Sequence, residues 1–246
     1  GGLSSARNVG MDAARGKYVI FPDPDDWVEL GYVSQMVELQ NYYQTDLLCV
    51  GYYVDTDEKC VPANEGQKPN CMDRVTAQQA LLIPPKMGGF AWNKLYHLDI
   101  IREHKLRFLD DVGTTEDLEF AFHYLKYCDT VCFVPSTRLY HYYQRSGAAT
   151  HSEFSIKKME TIRTYEKIIE SSENDKLVQA AKEEICNTAI NLIWQYQNSN
   201  LQDKAALKKL QRYARCYLKD YLKSAQYGKG RKQQAIMACY MPAVYA

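Results

Sequence analysis

The feature that most constrains this chain is a short apolar segment that ends in a cluster of acids. Residues 18–22 read Tyr-Val-Ile-Phe-Pro, and Asp23, Asp25 and Asp26 follow at once. An apolar run of this length, bounded by turn residues, is typical of a buried strand, and open α/β sheets hold their ligands at the carboxyl ends of such strands. Clustered carboxylate oxygens are ligands that suit Mg²⁺ or Mn²⁺.

The same four residues, 23–26, which we call the acidic loop, have a second interpretation. Pro24 fixes φ at the second position of a turn, and Asp26 is able to cap a helix that follows it. The loop could therefore close a turn without binding an ion. The local sequence leaves both interpretations open.

Helical and strand patterns alternate over the first part of the chain, and only helical periodicity continues after Ser152. The patterns predict helices at 4–15, 28–43 and 76–83, from the 88–96 segment to about 104, and at 154–170 and 178–196. They predict strands at 18–22 and 46–54, and a strand, turn and strand across 131–145. Residues 57–75 are predicted to form a polar surface loop. We therefore expect an α/β domain over 1–150 and a helical region over 151–246.

The composition is that of an ordinary globular protein, with 46% apolar and 24% charged residues and no net charge. No apolar run reaches the length of a membrane span and no secretion signal is recognisable, so we expect a cytoplasmic protein. The eight cysteines are scattered, without a close CxxC pair, and we interpret them as reduced thiols. Cys128 and Cys132 lack a second pair that would complete a zinc site.

Positive charge is concentrated near the end of the chain. Residues 202–246 contain ten Lys or Arg and only two acids, Asp203 and Asp220. Leu207, Leu210 and Ala214 recur at helical spacing, so residues 204–232 include a basic amphipathic helix. Such a helix could lie peripherally on an anionic membrane surface, or it could pack on the body of the protein with its lysines in water.

A second acidic segment, Thr114-Thr115-Glu116-Asp117, begins a predicted helix. Thr114 and Asp117 have the spacing of a capping box, and acids in a first turn are favoured by the helix dipole. Alternatively, Asp117 projects into a cleft as a general base, which must lie within hydrogen-bond reach of a substrate hydroxyl. The five histidines form no ligand pattern, although His141 or His151 could complete a metal shell.

Five short blocks of the first 150 residues form an ordered set. They are Gly2-x-x-x-Ala6-Arg7-Asn8-x-Gly10 with Ala14-x-Gly16, Phe21-Pro22-Asp23-Pro24-Asp25-Asp26-Trp27, Trp92-Asn93-Lys94-Leu95-Tyr96, Phe108 before Glu116-Asp117-Leu118, and Tyr140-x-Tyr142 before Arg145. In this order the chain resembles the family 2 glycosyltransferases. The resemblance implies a GT-A fold, a Rossmann-related α/β domain that binds a nucleotide-sugar, followed here by an all-helical C-terminal region.

The resemblance implies donor-side roles for four residues. Asp23 and Asp25 stand at the DxD positions of the family, with Asp23 near the donor ribose and both acids placed for the Mn²⁺ or Mg²⁺ ion that holds the diphosphate. Arg7 and Asn8 match the segment that lines the nucleotide pocket. The implied donor is a nucleotide-sugar, with a UDP-sugar favoured.

The resemblance also implies the catalytic and acceptor sides. Asp117, with Glu116 beside it, stands where the family keeps the base that deprotonates the acceptor hydroxyl, so the anomeric configuration would invert in one displacement. Trp92 and Lys94 match the acceptor side, where an aromatic face could stack on a sugar ring. We expect the acceptor to be a surface polysaccharide or a lipid-linked glycan, at the inner face of the cell membrane.

Two departures from the family pattern, and one further missing motif, qualify these expectations. Pro24 replaces a residue with a backbone donor, so a phosphate contact from that position is lost. The opening strand, helix and strand of the family have no counterpart, so we expect a domain that lacks its N-terminal strands. The Gln-x-x-Arg-Trp motif of processive synthases is also missing, which favours transfer of one sugar per encounter.

Two rival functions compete with this interpretation. A sugar-nucleotide pyrophosphorylase of related fold would need a glycine-rich nucleotide loop, which the sequence does not contain. A non-catalytic scaffold or binding protein of a glycan assembly complex is the alternative from another class, motivated by Pro24 and the expected missing strands. Nucleic-acid binding has little support, because the basic residues belong to no recognisable recognition module.

Overall fold

The computed structural model describes residues 2–83, 86–109, 115–144, 154–200 and 203–242. The chain forms two compact units, residues 1–111 with 116–148, and residues 112–115 with 149–246. Thr114 of the predicted capping box, Arg145 of the last sequence block and His151 lie outside the described residues.

The first unit contains helices and strands in alternation. Their bounds are α1 Leu3–Ala13, β1 Tyr18–Val19, β2 Trp27–Val28, α2 Tyr32–Tyr43, β3 Leu47–Asp55, β4 Cys60–Pro62, β5 Asn70–Asp73, α3 Arg74–Leu82, β6 Lys94–His97, α4 Leu98–Glu103, α5 Glu116–Leu125 and β7 Thr130–Tyr143. The strands form one mixed sheet in the order β1-β6-β3-β7-β2, with β4 paired to β3 and β5 paired to β7. Only the β3–β7 pair is parallel among these described strands.

The core of this unit lies around β3 and β7. Residues 47–50 of β3 are fully buried, as a central strand that is covered on both faces requires. Gly51 follows them at a register shift between the two strands. A Cβ atom at Gly51 would lie 2.2 Å from the carbonyl oxygen of Pro135, so only glycine permits this close approach of the two backbones.

Several predicted elements differ from the structure. Within the helix predicted from the 88–96 segment to about 104, residues Lys94–His97 instead form β6, because they hydrogen-bond to β1 on one side and to β3 on the other. The helical part is α4, Leu98–Glu103. The predicted strand, turn and strand over 131–145 is a single strand, β7, whose two ends pair with different partners. Strand 18–22 shortens to β1, and helix 28–43 begins only at Tyr32, after β2 has paired with β7. Strand 46–54 is confirmed as β3.

The predicted surface loop at 57–75 contains β4 and β5, and β5 carries a disulfide bond. Cys71 lies directly opposite Cys132 in the β5–β7 pair, and the two residues are joined by a disulfide with a Cα–Cα distance of 4.0 Å. The prediction of reduced thiols is therefore wrong for these two cysteines. The reason is strand pairing, which brings together residues separated by 61 positions in sequence.

The second unit is helical in its described residues. A 3₁₀ turn at Ile156–Met159 precedes α6 Glu160–Ser171, α7 Asp175–Gln197, α8 Lys204–Lys223 and α9 Lys229–Tyr240. The basic amphipathic helix is α8, and Leu210, Ala214 and Tyr221 on its apolar face are buried inside this unit. A membrane contact from 204–232 would therefore use the lysine-rich face of α8. Within the described ranges, the helices are too short or too polar to cross a bilayer.

Candidate functional site

Arg7 is the centre of the site, because its guanidinium joins three acids from distant parts of the chain. The side chain lies on the buried face of α1 and is 6% exposed. Its NH2 nitrogen donates to Asp23 Oδ1 at 2.7 Å, and its NH1 nitrogen contacts Glu116 Oε1 at 3.3 Å and forms an ion pair with Asp117 Oδ1. The acidic loop after β1 and the first turn of α5 therefore converge on one cation.

The neighbouring Asn8 fixes the position of α1 against the segment before α5. Its amide donates to the carbonyl of Phe108 at 2.8 Å, and its side-chain oxygen accepts from the Phe108 N–H at 3.0 Å. The Arg7 guanidinium also lies 5.0 Å from the centre of the Phe108 ring. This reciprocal pair uses both ends of the Asn8 amide, so the structure shows a positioning role for it.

The acidic loop is held in shape by Tyr140 of β7. The Asp23 N–H donates to the Tyr140 hydroxyl at 3.0 Å, and that hydroxyl donates to Asp26 Oδ2 at 2.5 Å. Asp26 also accepts from the Tyr143 N–H at 2.9 Å. The turn interpretation of the loop is correct to this extent, since the Asp26 N–H reaches the Asp23 carbonyl at 3.3 Å.

Asp25 differs from its two neighbours. It is exposed, and its carboxylate makes no hydrogen bond or ion pair with any described residue. Asp23 uses one oxygen for Arg7, while Asp26 uses both oxygens for contacts with β7. A divalent cation therefore has the free Asp25 carboxylate and the second Asp23 oxygen available, and these hard oxygen donors fit Mg²⁺ or Mn²⁺.

Asp117 lies at the start of α5 with a distinct partner on each oxygen. Oδ1 contacts Arg7, and Oδ2 accepts from the Ala91 N–H at 3.0 Å. Burial raises the pKa of Asp117 above its ordinary value, whereas the charge of Arg7 opposes that rise. A carboxylate has further lone pairs beyond these two contacts, so it retains the capacity to accept a proton from a hydroxyl. The pKa of Asp23 is raised chiefly by burial as well.

Trp92 and Lys94, predicted on the acceptor side, are both buried. Trp92 is 3% exposed and stacks on Tyr140 with ring centroids 4.4 Å apart. The Lys94 ammonium has no solvent exposure and donates to the carbonyls of Gly88 and Phe90, at 2.7 and 2.6 Å, and to Asn93 Oδ1. Burial lowers the pKa of Lys94. Lys94 thus directs its ammonium to acceptors of the chain itself, and Trp92 is almost completely covered by its neighbours.

Two contributors to the site were not assigned a role from the sequence. Tyr140 entered only as part of the last block, and the contact made by the Ala91 backbone N–H has no direct signal in the sequence. Gly89, two residues before Ala91, offers a partial signal: a Cβ there would lie 2.8 Å from the Leu118 Cβ. The loop before β6 can therefore approach α5 closely enough for Ala91 to reach Asp117 only because residue 89 is glycine.

Comparison with known proteins adds independent information. Residues 1–104 match the family model described as glycosyl transferase family 2. EpsH of Bacillus subtilis (strain 168), a glycosyltransferase by name, is 34% identical over 145 residues, which is 57% of this chain and 41% of that protein. The uncharacterized glycosyltransferase EpsJ of the same organism is 30% identical over 49% of this chain and 36% of its own length. The chain thus spans less than half of these curated relatives.

Solved structures show the same fold at low sequence identity. Staphylococcus aureus TarS, residues 1–349, in complex with UDP-GlcNAc matches 91% of this chain and 62% of its own chain, with a TM-score of 0.59 and 14% identity. Its complex with UDP matches 99% of this chain and 68% of its own, with a TM-score of 0.60 and 11% identity. The expected GT-A-like fold with a helical C-terminal region is confirmed.

Proposed function

Because residues 1–104 match the glycosyl transferase family 2 model, we propose that this chain transfers a sugar from a nucleotide-sugar donor to an acceptor hydroxyl with inversion at the anomeric carbon. The main support for the proposal is the group formed by Arg7 with Asp23, Glu116 and Asp117, which we call the Arg7 cluster. One buried guanidinium holds Asp23, at the expected donor side, and Asp117, the expected base, on its two nitrogens. The two acids that the reaction requires are thereby fixed in one place.

In this proposal Asp117 accepts the proton of the acceptor hydroxyl as that oxygen attacks the anomeric carbon. A base needs a pKa high enough to take the proton and must still be ionised at the working pH. Burial raises the pKa of Asp117, which meets the first condition. The positive charge of Arg7 favours the ionised carboxylate, which meets the second. The Ala91 N–H fixes the orientation of the carboxylate. Glu116 shares Arg7 with Asp117 and so adds to the local negative charge.

On the donor side, Asp25 and Asp23 would hold a Mn²⁺ or Mg²⁺ ion next to the diphosphate. When bound, the ion supplies positive charge that stabilises the leaving nucleoside diphosphate. Tyr140 holds the acidic loop so that Asp25 points outward, while Arg7 orients Asp23. A UDP-sugar is the donor that we propose, in line with the UDP and UDP-GlcNAc bound to TarS of the same fold.

For the acceptor we propose a surface polysaccharide or a lipid-linked glycan, reached at the inner face of the cell membrane. The support is the lysine-rich face of α8, on which Lys208, Arg212 and Lys219 are exposed. Lys residues near an anionic leaflet contribute about 1 kcal/mol each to peripheral binding. We propose that Trp92 and Lys94 act indirectly, by holding Tyr140 and the loop that carries Ala91.

The proposal is tested by separating binding from turnover in the gene product that contains this chain. We expect UDP binding by titration calorimetry to require Mn²⁺ and to be lost in Asp25→Ala. Asp99→Ala is the matched control, since Asp99 is an exposed acid on α4. Asp117→Asn should keep UDP binding and lose about 10²–10⁴-fold in turnover. Biological activity that survives both Asp25→Ala and Asp117→Asn would instead support a non-catalytic scaffold.

A further inference from the structure

A second group of side chains able to bind a metal lies at the C-terminal end of β3, and none of its members belongs to the Arg7 cluster. Asp55 is the last residue of β3, and Cys60 begins β4 directly opposite it in the register. His141 of β7 reaches the same place, because Tyr53 of β3 is its partner across the parallel pair. Three neighbouring strands therefore bring one carboxylate, one thiol and one imidazole together.

The ligand atoms of these three residues are close enough to share one ion. One such atom from each residue lies within 4.8 Å of the others. His141 Nδ1 is 2.9 Å from Asp55 Oδ2 and 4.0 Å from Cys60 Sγ. Metal–ligand bonds of about 2.0–2.3 Å place the ligand atoms of a tetrahedral zinc site somewhat over 3 Å apart. Small side-chain adjustments therefore bring all three atoms to bonding distance.

One oxygen of Asp55 has no partner although the residue is buried. Asp55 is 8% exposed, and its Oδ2 accepts from the Trp27 indole N–H at 3.1 Å in addition to facing His141. Its Oδ1 has no hydrogen-bond partner among the described residues. An unpartnered carboxylate oxygen in a buried position is costly unless a cation or donor meets it. This oxygen is a second observation, independent of the spacing of the ligand atoms, and it favours a cation or a donor at this position.

His141 also has the carboxylate neighbour that a metal-binding histidine usually has. Its Nε2 lies 3.2 Å from Glu29 Oε1, which leaves Nδ1 aimed at Asp55 and Cys60. A ligating histidine commonly gives its other ring N–H to a carboxylate, which fixes the tautomer and the ring orientation. The ring is further fixed between two aromatic rings, Trp27 with a centroid distance of 3.4 Å and Tyr53 at 4.8 Å.

We propose that Asp55, Cys60 and His141 bind one transition-metal ion of the Zn²⁺ class, with Glu29 as the hydrogen-bond partner of the histidine. A thiolate, an imidazole and a carboxylate form a donor set that suits Zn²⁺ and does not suit Mg²⁺. Binding forms one metal–sulfur, one metal–nitrogen and one metal–oxygen bond. The Cys60 thiol releases its proton to water, as does any proton shared between Nδ1 and Asp55, while Nε2 keeps its proton toward Glu29.

The site links three strands and so has a structural consequence. Of its three ligands, Cys60 alone is exposed, and it sits on a strand of three residues paired only through β3 in the described sheet. The ion would link β4 to β3 and β7 through metal–ligand bonds, which are stronger than the few backbone hydrogen bonds between β4 and β3. Because Cys60 lies at the surface, a further coordination position stays open to water.

The test uses Zn²⁺ and Co²⁺ on the full chain. We expect Co²⁺ to produce a thiolate-to-metal charge-transfer absorption in the parent, and added Zn²⁺ to remove it. Cys60→Ser should abolish this absorption and weaken Zn²⁺ binding by about tenfold or more, and Glu29→Gln should weaken it by about tenfold. Cys216→Ser is the matched control, since Cys216 is another exposed free cysteine. Asp25→Ala should leave the absorption unchanged.

Two results would overturn the proposal. One is a folded parent that shows no thiolate absorption with Co²⁺. The other is an absorption that Cys60→Ser retains, or that Cys216→Ser removes equally. In either case the three side chains form a hydrogen-bond network alone. Circular dichroism shows whether Cys60→Ser keeps its fold. If it does not, Glu29→Gln, which keeps all three ligands, is the deciding variant. An unchanged Zn²⁺ affinity of Glu29→Gln would then contradict the proposal.

Discussion

Replacing Arg7 by methionine should destabilise the first unit strongly, and by an amount that depends on pH. Methionine keeps an unbranched apolar side chain at this position, but it removes the guanidinium, which also lies over the Phe108 ring. Asp23, Glu116 and Asp117 then lose their shared cation. Their side chains are 22%, 12% and 19% exposed, so water replaces the lost contacts only in part.

The magnitude follows from the burial of these groups. Breaking a buried ion pair by removing one partner costs about 3–5 kcal/mol, because the remaining charge is left unpaired. Here three carboxylates lose their positively charged partner, but each keeps some contact with solvent. We therefore expect the free energy of unfolding to fall by about 3 kcal/mol near neutral pH.

The pH dependence has a definite sign. Burial already raises the pKa of Asp23 and Asp117 above 3.8, and Arg7 opposes the rise. Without Arg7 both pKa values rise further, so the folded variant binds protons that the unfolded chain releases. Its stability must then increase as the pH falls from neutral toward these raised pKa values. The difference in free energy of unfolding between the parent and the variant is therefore largest at neutral pH and above, and it becomes smaller in mild acid.

The assay is urea unfolding followed by tryptophan fluorescence in a Trp194→Phe background, at about pH 7.5 and about pH 5. Trp194 belongs to the second unit, so the emission of Trp27 and Trp92 then reports on the first unit. Arg107→Met is the control, because Arg107 forms an exposed ion pair with Asp12, for which about 0.2–1 kcal/mol is expected. The reasoning is refuted if Arg7→Met costs no more than Arg107→Met, or costs the same at both pH values.

Three further substitutions test how the site is held. Tyr140→Phe removes the hydroxyl that bridges the acidic loop, so UDP binding in Mn²⁺ should weaken by about tenfold, while the free energy of unfolding falls by about 1–3 kcal/mol. Gly89→Ala forces a methyl group against Leu118, and turnover should fall with a loss of about 1–3 kcal/mol in stability. Lys94→Met leaves three acceptors without their donor and should destabilise the first unit by at least about 1–3 kcal/mol in urea unfolding.

Each of these substitutions has a control at a position without the relevant contact. Tyr127→Phe alters an exposed tyrosine, Gly230→Ala adds a methyl group where nothing lies within 4 Å, and Lys68→Met alters an exposed lysine. Unchanged UDP affinity in Tyr140→Phe would show that the acidic loop holds its shape without the hydroxyl. Equal stabilities for a variant and its control would show that the contact in question contributes nothing measurable.

Much of the fold could be predicted from local patterns. The buried run in β3, the helical periodicity after residue 152 and the acidic first turn of α5 are each visible in the sequence, because side-chain period and end signals are local properties. The order of the five blocks led to the family, which the match over residues 1–104 confirms. The roles of Asp25 and Asp117 remain predictions, although the structure leaves the first exposed and brings the second to Arg7.

The sequence by itself determined which residue types were present for the chemistry, and tertiary structure decided how they are paired. Strand β6 has only four residues, too few for their pattern to separate strand from helix, and two neighbouring strands settle the matter. The disulfide and the burial of Lys94 likewise arise from contacts across the fold. Arg7 lies 109 and 110 positions from its partners in α5. Pairing of charges and strands is a long-range interaction, so no local pattern could reveal it.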